Sequence, residues 1–91
     1  MGVLAAESGG SMNKYKTKFF SVCPINKARI EYHLEIETKE IIGVEELLEA
    51  LGTIYAEGFH EPMADDLQER FGGRQVLTAH HHGVDIETVR G

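Results

Sequence analysis

The sequence has one cysteine and no long apolar run, and each scarcity excludes a class of protein. Because Cys23 is the single cysteine among 91 residues, an intrachain disulfide is impossible and a reducing, cytoplasmic setting is expected. No stretch reaches the roughly 18 apolar residues of a membrane span, and no signal-peptide pattern is present. We therefore expect neither a membrane protein nor a secreted disulfide scaffold.

Positive charge is also scarce. The chain has 9 Lys and Arg residues against 15 Asp and Glu residues, which gives a formal net charge of −6. Nucleic acids and anionic membranes attract basic surfaces. Neither is therefore an expected partner.

The length predicts a single domain with a modest core. A domain of this size buries only about 60% of the surface of its unfolded chain. Residues 1–11 are rich in Gly, Ser and Ala without periodicity, so we interpret them as a flexible leader foreign to the native domain, which spans 12–91. Because no disulfide or metal framework is visible, we expect homo-oligomerisation to supply extra stability.

Alternating polarity predicts a β-hairpin near the start of this domain. Arg29–Thr38 is apolar at every second position, the pattern of a half-buried strand. Lys16–Cys23 precedes it and contains the aromatic and β-branched residues that strands favour. Pro24 cannot donate to a sheet, so it should end the first strand.

Two helices are predicted next. Apolar residues at helical spacing predict a helix over Val44–Glu57 that ends at Gly58. Its single apolar stripe would contain Val44, Leu47, Leu48, Leu51, Ile54 and Tyr55. A second helix is predicted over Pro62–Phe71, because proline suits the first helical position. That placement makes Glu61 the N-cap residue.

A second hairpin is predicted at the end, with strands Gln75–His81 and Val84–Val89 and a tight turn at His82-Gly83. The order β-β-α-α-β-β predicts an α+β fold, one antiparallel sheet with both helices on its apolar face. The other face would carry Glu31, His33, Glu35, Glu37, His80 and His82. This polar face is either solvated or part of a barrel that several subunits close through their sheet edges.

Three features are candidates for chemistry. Glutamate is a poor N-cap, so Glu61 is either kept for function or complements the helix dipole. Cys23 is either a small core residue or a nucleophile. His80 and His82 could supply half of a zinc site, or they belong to the polar end of a hairpin. Two aromatic residues are expected to pack in the core and not to stack on a ligand: Tyr32 and Phe59.

Several short motifs between Phe19 and Gly91 resemble those of a known family. They are Phe20-Ser21-Val22-Cys23-Pro24, Phe59-His60-Glu61, Ala64-Asp65-Asp66-Leu67 and His82-Gly83-Val84-Asp85-Ile86. Together with the order β-β-α-α-β-β, they resemble the tunnelling fold, whose members include GTP cyclohydrolase I and pyruvoyl-tetrahydropterin synthase. Within that superfamily the chain looks most similar to the nitrile reductases of queuosine biosynthesis, which reduce 7-cyano-7-deazaguanine.

The resemblance implies a site for a small planar heterocycle near a subunit boundary. Cys23 would be the nucleophile that adds to a nitrile carbon and forms a thioimide. Glu61 would bind the N–H groups of a purine- or pterin-like ring, since a planar amidine edge suits two carboxylate oxygens. His60 would be a neighbouring proton donor or a substrate ligand.

The sequence departs from the family's pattern at three places. The family has an Asp shortly after the Cys-Pro pair, as general acid, whereas the first acid after Cys23 is Glu31. The segment 38–43 lacks the Lys-rich, Ser-containing stretch that binds the nicotinamide cofactor, and His82 replaces an Arg. These departures argue against NADPH use, and no cofactor is predicted.

Three functions remain open at this point. The first is a nitrile reductase-like or amidine-forming enzyme of 7-deazaguanine metabolism, which Cys23 and the His60-Glu61 pair favour. The second is a non-catalytic ligand-binding or assembly module, which the missing acid and cofactor stretch favour. The third is a zinc-dependent enzyme of the cyclohydrolase or pterin synthase type.

Overall fold

The computed structural model describes residues 12–91, so the predicted leader lies outside the described residues. The elements are β1 (Asn13–Val22), β2 (Arg29–Thr38), α1 (Val44–Thr53), α2 (His60–Phe71), β3 (Arg74–His81) and β4 (Val84–Arg90). The predicted α+β fold and its β-β-α-α-β-β order are therefore confirmed. No helix in this part of the chain is long and apolar enough to cross a membrane.

The four strands form one antiparallel sheet in the order β1-β2-β3-β4, so β1 and β4 are its edges. Strand β2 has the bounds that its alternation predicts, and its apolar residues are buried. Tyr32 in β2 lies between Phe19 in β1 and Ala79 in β3 on the inner face. The helices cover this face and add further buried residues: Leu47, Ala50, Leu51, Met63, Ala64 and Leu67.

The opposite face of the sheet is polar, as predicted. His33 lies 2.9 Å from the Glu31 carboxylate, and Lys14 lies 3.5 Å from that of Glu35. His80 pairs with Asp85 across the last hairpin at 2.7 Å. Such exposed pairs contribute little to stability, about 0–1 kcal/mol each.

The predicted extent of α1 is wrong, because the helix ends at Thr53 and not at Glu57. The residues after Thr53 make contacts outside the helix. Tyr55 is buried and hydrogen-bonds to side chains of α2. The Ala56 carbonyl accepts a hydrogen bond from the Val22 N–H at 2.9 Å. A continued helix would remove both contacts. The predicted apolar stripe is only partly buried, since three of its residues are half or more exposed: Val44, Leu48 and Ile54.

The predicted start of α2 is also wrong. The N-cap is Phe59, and the helix begins at His60, so Glu61 and Pro62 are its second and third residues. The first N–H to enter the helical ladder is that of Met63, which donates to the Phe59 carbonyl at 3.1 Å. Because the preceding N–H groups have no helical partner, proline is tolerated two positions later than we predicted. Glu61 therefore lies within the first turn and is not the cap.

The strand ends differ slightly from the prediction. Strand β1 begins at Asn13, whose side-chain amide donates to the Glu40 carbonyl at 3.2 Å, and it ends at Val22, one residue before Cys23. In the predicted β3–β4 turn both His82 and Gly83 have positive φ, 53° and 80°. This is the combination that a two-residue type I′ hairpin requires.

Candidate functional site

One backbone pairing positions Cys23 beside the start of α2. The segment after α1 runs alongside the end of β1: Val22 N–H donates to the Ala56 carbonyl at 2.9 Å, and Gly58 N–H donates to the Val22 carbonyl at 3.2 Å. Because Cys23 follows Val22 and α2 follows Gly58 closely, residues that are distant in the sequence become neighbours.

Cys23, His60 and Glu61 line one cavity of about 90 Å³. Its complete lining is Cys23, Ile30, Tyr32, Gly58, Phe59, His60, Glu61, Ala79, His81 and Ile86. The structure thus brings together all three residues that the sequence predicted for the site. Most of the wall is apolar or aromatic, as is typical of ligand sites with a few convergent polar groups.

His60 is buried, and one of its ring nitrogens has no partner. Its Nε2 atom lies 3.1 Å from both the Leu77 carbonyl and the Thr88 hydroxyl. A carbonyl can only accept, so Nε2 carries the hydrogen and Nδ1 is an acceptor. Nδ1 is buried without a hydrogen-bond partner among residues 12–91. Burial lowers the pKa of His60, although the Leu77 carbonyl and the Glu61 carboxylate oppose that shift.

The Tyr32 hydroxyl interacts electrostatically with both the Cys23 thiol and the Glu61 carboxylate. Its ring is buried and stacks on Phe19 with centroids 5.2 Å apart, as expected of a core residue. Burial raises the pKa of the Tyr32 hydroxyl, and the nearby Cys23 and Glu61 groups raise it further. Both groups are therefore close enough to influence one phenol, while Glu61 itself remains exposed.

Phe59 differs from the sequence prediction. Its side chain is 47% exposed, although it also lines the cavity. The prediction of core packing for Phe59 is therefore wrong. As the N-cap of α2 it lies outside the helix, where its ring is not directed into the core by helical spacing.

Sequence reasoning missed His81 as a member of the site. The same alternation that places His80 on the polar face places His81 on the inner face. There its Nε2 atom is buried and has no hydrogen-bond partner in the described part of the chain. The alternation of the strand already indicated that His81 faces inward, but only His80 and His82 were considered, because their spacing suits a metal site.

The alternative zinc ligands are occupied by other contacts. His80 Nδ1 is 2.7 Å from Asp85, and His82 Nε2 accepts from the Asn26 side-chain amide at 2.8 Å. Across residues 12–91, no group of three or more His, Cys, Asp or Glu side chains is arranged to hold a metal ion. The residues present therefore do not fit a zinc centre at the last hairpin.

The cations nearest to Cys23 in the sequence are also engaged elsewhere. Lys27 Nζ lies 3.1 Å from Glu57, and the Arg29 guanidinium lies 3.7 Å above the centre of the Phe20 ring.

The polar face of the sheet has larger grooves, of about 420 and 450 Å³. Their charged groups are largely paired across strands, so the smaller cavity with unpartnered buried nitrogens is the better candidate site.

The fold, together with a cysteine directly after β1 and a His-Glu pair at the start of α2, resembles that of the tunnelling-fold proteins. Among solved structures, the apo form of the archaeosine synthase QueF-Like is similar to this chain, with a TM-score of 0.74 and 25% sequence identity. The match covers 91% of this chain and 94% of that one. No protein-family model and no curated protein matches the sequence. The resemblance to the tunnelling fold and to the QueF type of protein is thereby confirmed.

Proposed function

We propose that this protein binds a flat, purine- or pterin-like heterocycle and acts in 7-deazaguanine metabolism. The observation that carries the proposal is the common cavity of Cys23, His60 and Glu61. The similarity to an archaeosine synthase supports this class of ligand. A single ligand in this cavity can contact the thiol and the carboxylate together.

Glu61 is the proposed anchor of the ring. A guanine-like ring presents adjacent N–H donors, and an ionised carboxylate offers two acceptor oxygens to such an edge. Glu61 lies in the first turn of α2, where the helix dipole also favours a negative charge. The unpartnered Nδ1 of His60 would accept a further hydrogen bond, and the exposed ring of Phe59 offers a surface for stacking.

Cys23 is the proposed nucleophile for a nitrile on that ring. Its sulfur adds to the nitrile carbon while its proton passes to the nitrile nitrogen, which gives a thioimide. Ammonia then adds to the same carbon, the carbon–sulfur bond breaks, and the thiol leaves with a proton as the amidine forms. Neither step requires an oxidant or a reductant.

The connection between β2 and α1 favours amidine formation over NADPH-dependent reduction. Lys39 is its single cation and is followed by Glu40. The Glu40 N–H already bonds to Thr38 at 3.0 Å, and the Ile42 N–H bonds to the Tyr15 hydroxyl at 3.1 Å. These residues do not fit a dinucleotide phosphate site, which needs free donors and positive charge.

A second subunit is proposed to complete the site. The cavity of about 90 Å³ is far below the roughly 300–1,000 Å³ of typical ligand pockets. Outward-facing lysines occupy one sheet edge, Lys14, Lys16 and Lys18 in β1, whereas Asp85 and Glu87 occupy the other edge in β4. Pairing β1 of one subunit with β4 of the next joins opposite charges, while pairing like edges would oppose like charges. Head-to-tail closure also removes both exposed edges.

A non-catalytic binding module is the second candidate. The observation that favours it is the connection from Pro24 to Ala28, which has no acidic side chain. Its one amide side chain is engaged, since Asn26 Oδ1 accepts from the Ala28 N–H at 2.9 Å and its nitrogen binds His82. This candidate shares the Glu61 anchor and differs in the absence of a covalent adduct at Cys23.

Ligand-observed NMR with guanine, 7-cyano-7-deazaguanine and neopterin tests the anchor. The wild type should bind at least one ring, and Glu61→Gln should weaken that binding by about 10- to 150-fold, because a hydrogen bond to a charged group is worth about 1.5–3 kcal/mol. Glu69→Gln is the matched control, since Glu69 is an exposed glutamate of the same helix. Equal affinities of the Glu61→Gln and Glu69→Gln variants would contradict the proposed anchor.

A further inference from the structure

The loop that follows Cys23 supplies no side chain that could exchange a proton with the Cys23 thiol. Thiol addition to a nitrile moves a proton from sulfur to nitrogen, and a positioned base and acid accelerates such a transfer. Pro24 to Ala28 contains no acid, and Asn26 is held by Ala28 and His82. Lys27 is paired with Glu57. The transferring group must therefore come from another element.

His60 is poorly suited to this role. Its Nε2–H is directed at the Leu77 carbonyl and the Thr88 hydroxyl. Only Nδ1 remains, and burial disfavours the protonated ring that would have to form if Nδ1 took the thiol proton. His60 is better suited to accept a fixed hydrogen bond from a ligand.

Three other titratable side chains line the cavity with Cys23 and His60: burial raises the pKa of the Tyr32 hydroxyl, Glu61 is the proposed anchor of the ring, and His81 is the third. The pairing of β2 with β3 ends at Tyr32 and Ala79, and His81 lies two residues beyond Ala79. Ile30, two residues before Tyr32, lies opposite Ser21 in β1. Cys23 lies two residues beyond Ser21, and both Cys23 and His81 line the cavity of about 90 Å³. No hydrogen bond joins His81 Nε2 to Cys23 Sγ, so a proton passes between the two side chains through one water molecule in the cavity.

The free nitrogen of His81 is the observation that points to a ligand. Its Nε2 atom is buried without a partner among residues 12–91, and the same is true of Nδ1 of the 6% exposed His60. Buried polar atoms nearly always have a hydrogen-bond partner in folded proteins. Two residues that line one cavity thus each carry a buried nitrogen that a ligand's polar atom would satisfy.

We propose that His81 is a catalytic residue that transfers the proton between Cys23 and the ligand. Its unprotonated Nε2 takes the thiol proton as the carbon–sulfur bond forms, and the resulting imidazolium gives that proton to the nitrile nitrogen. The product is a thioimide with one C=N–H group, and no further reagent is consumed. The nitrile step rests on the proposed function, whereas the coupling of His81 to the thiol does not.

The coupling is tested by alkylation of Cys23 with iodoacetamide at pH 7, followed by intact mass. Cys23 is the single cysteine, so one adduct reports one site. We expect His81→Asn and His81→Gln each to slow the reaction about tenfold or more, because a base that takes the thiol proton raises the reactive thiolate fraction. His80→Asn is the matched control, since the neighbouring imidazole lies on the opposite face. Circular dichroism confirms that each variant is folded.

Chemical rescue distinguishes a proton-transfer role from a structural one. In His81→Ala, added free imidazole should restore the alkylation rate, and it should leave the rate of His80→Ala unchanged. Alkylation of folded His81→Asn and His81→Gln at the wild-type rate would overturn the inference. So would a slow rate in His81→Ala that imidazole does not restore.

The failure of this inference is distinguishable from failure of the proposed function. Alkylation requires no heterocycle, so it decides the role of His81 even if no ring binds. If the wild type binds 7-cyano-7-deazaguanine through Glu61 and the His81 variants alkylate normally, only the role of His81 is wrong.

Discussion

The buried imidazole of His60 makes the stability of this protein depend on pH in a defined direction. In the unfolded chain the pKa of histidine is about 6.5. In the folded protein, burial lowers the pKa of His60 below that value. At a pH between the two values, the unfolded state binds a proton that the folded state does not. The stabilisation is therefore fully present above pH 6.5 and is lost progressively as the pH falls below it.

The expected size of the effect follows from the proton linkage. If the folded state stays unprotonated, the unfolded state gains about 1.4 kcal/mol from this one group on going from pH 7.5 to pH 5.5. The change to test is His60→Gln, because glutamine removes the titration but keeps a donor for the Leu77 carbonyl. The wild type should lose up to about 1.4 kcal/mol more unfolding free energy than this variant over the same pH range.

Urea unfolding at pH 7.5 and 5.5, at one fixed subunit concentration, measures this difference. Fixing the concentration matters because subunit association would otherwise shift the apparent stability. If His60→Gln and the wild type lose the same free energy, the inference that His60 is buried in its neutral form is refuted.

Two further predictions concern the fold and its assembly. Gly73→Ala should destabilise the protein by about 2–4 kcal/mol in urea unfolding, because Gly73 has a positive φ of 73° and a Cβ there would lie 2.7 Å from the Glu37 carbonyl. Gly72→Ala has the same φ, with a ψ of −167° and open space around it, so it should cost only backbone strain, about 1–3 kcal/mol. A larger cost at Gly72 than at Gly73 would contradict the steric part of the argument. Lys16→Glu should weaken subunit association in sedimentation equilibrium, and adding Glu87→Lys should restore it. A wild type that is monomeric at all concentrations would contradict the edge pairing.

The strands of the sheet could be predicted because the alternation of polar and apolar residues is visible within each strand's own sequence. Each residue of β2 alternates between a buried and a more exposed face, so the spacing alone gives both its bounds and its orientation. Placing His81 on the inner face required the same rule and no further knowledge. It was missed because its neighbours offered a more familiar metal-binding pattern.

The helix ends were not predictable because tertiary contacts determine them. Nothing in the local sequence near Thr53 indicates that Ala56 and Gly58 must pair with Val22. That pairing ends α1 early and brings Cys23 to α2. The family resemblance named Cys23, His60 and Glu61 but left open whether Cys23 lies near Glu61, and only the structure shows that all three line one cavity.

The central claim is that one heterocycle contacts both Cys23 and Glu61. The most direct measurement is the rate of Cys23 alkylation by iodoacetamide with and without saturating 7-cyano-7-deazaguanine, in the wild type and in Glu61→Gln. We expect the ligand to protect Cys23 in the wild type and to give little protection at the same concentration in Glu61→Gln. Ligand binding that leaves the alkylation rate of Cys23 unchanged, or equal protection in both proteins, would contradict the claim that the thiol and the carboxylate form one site.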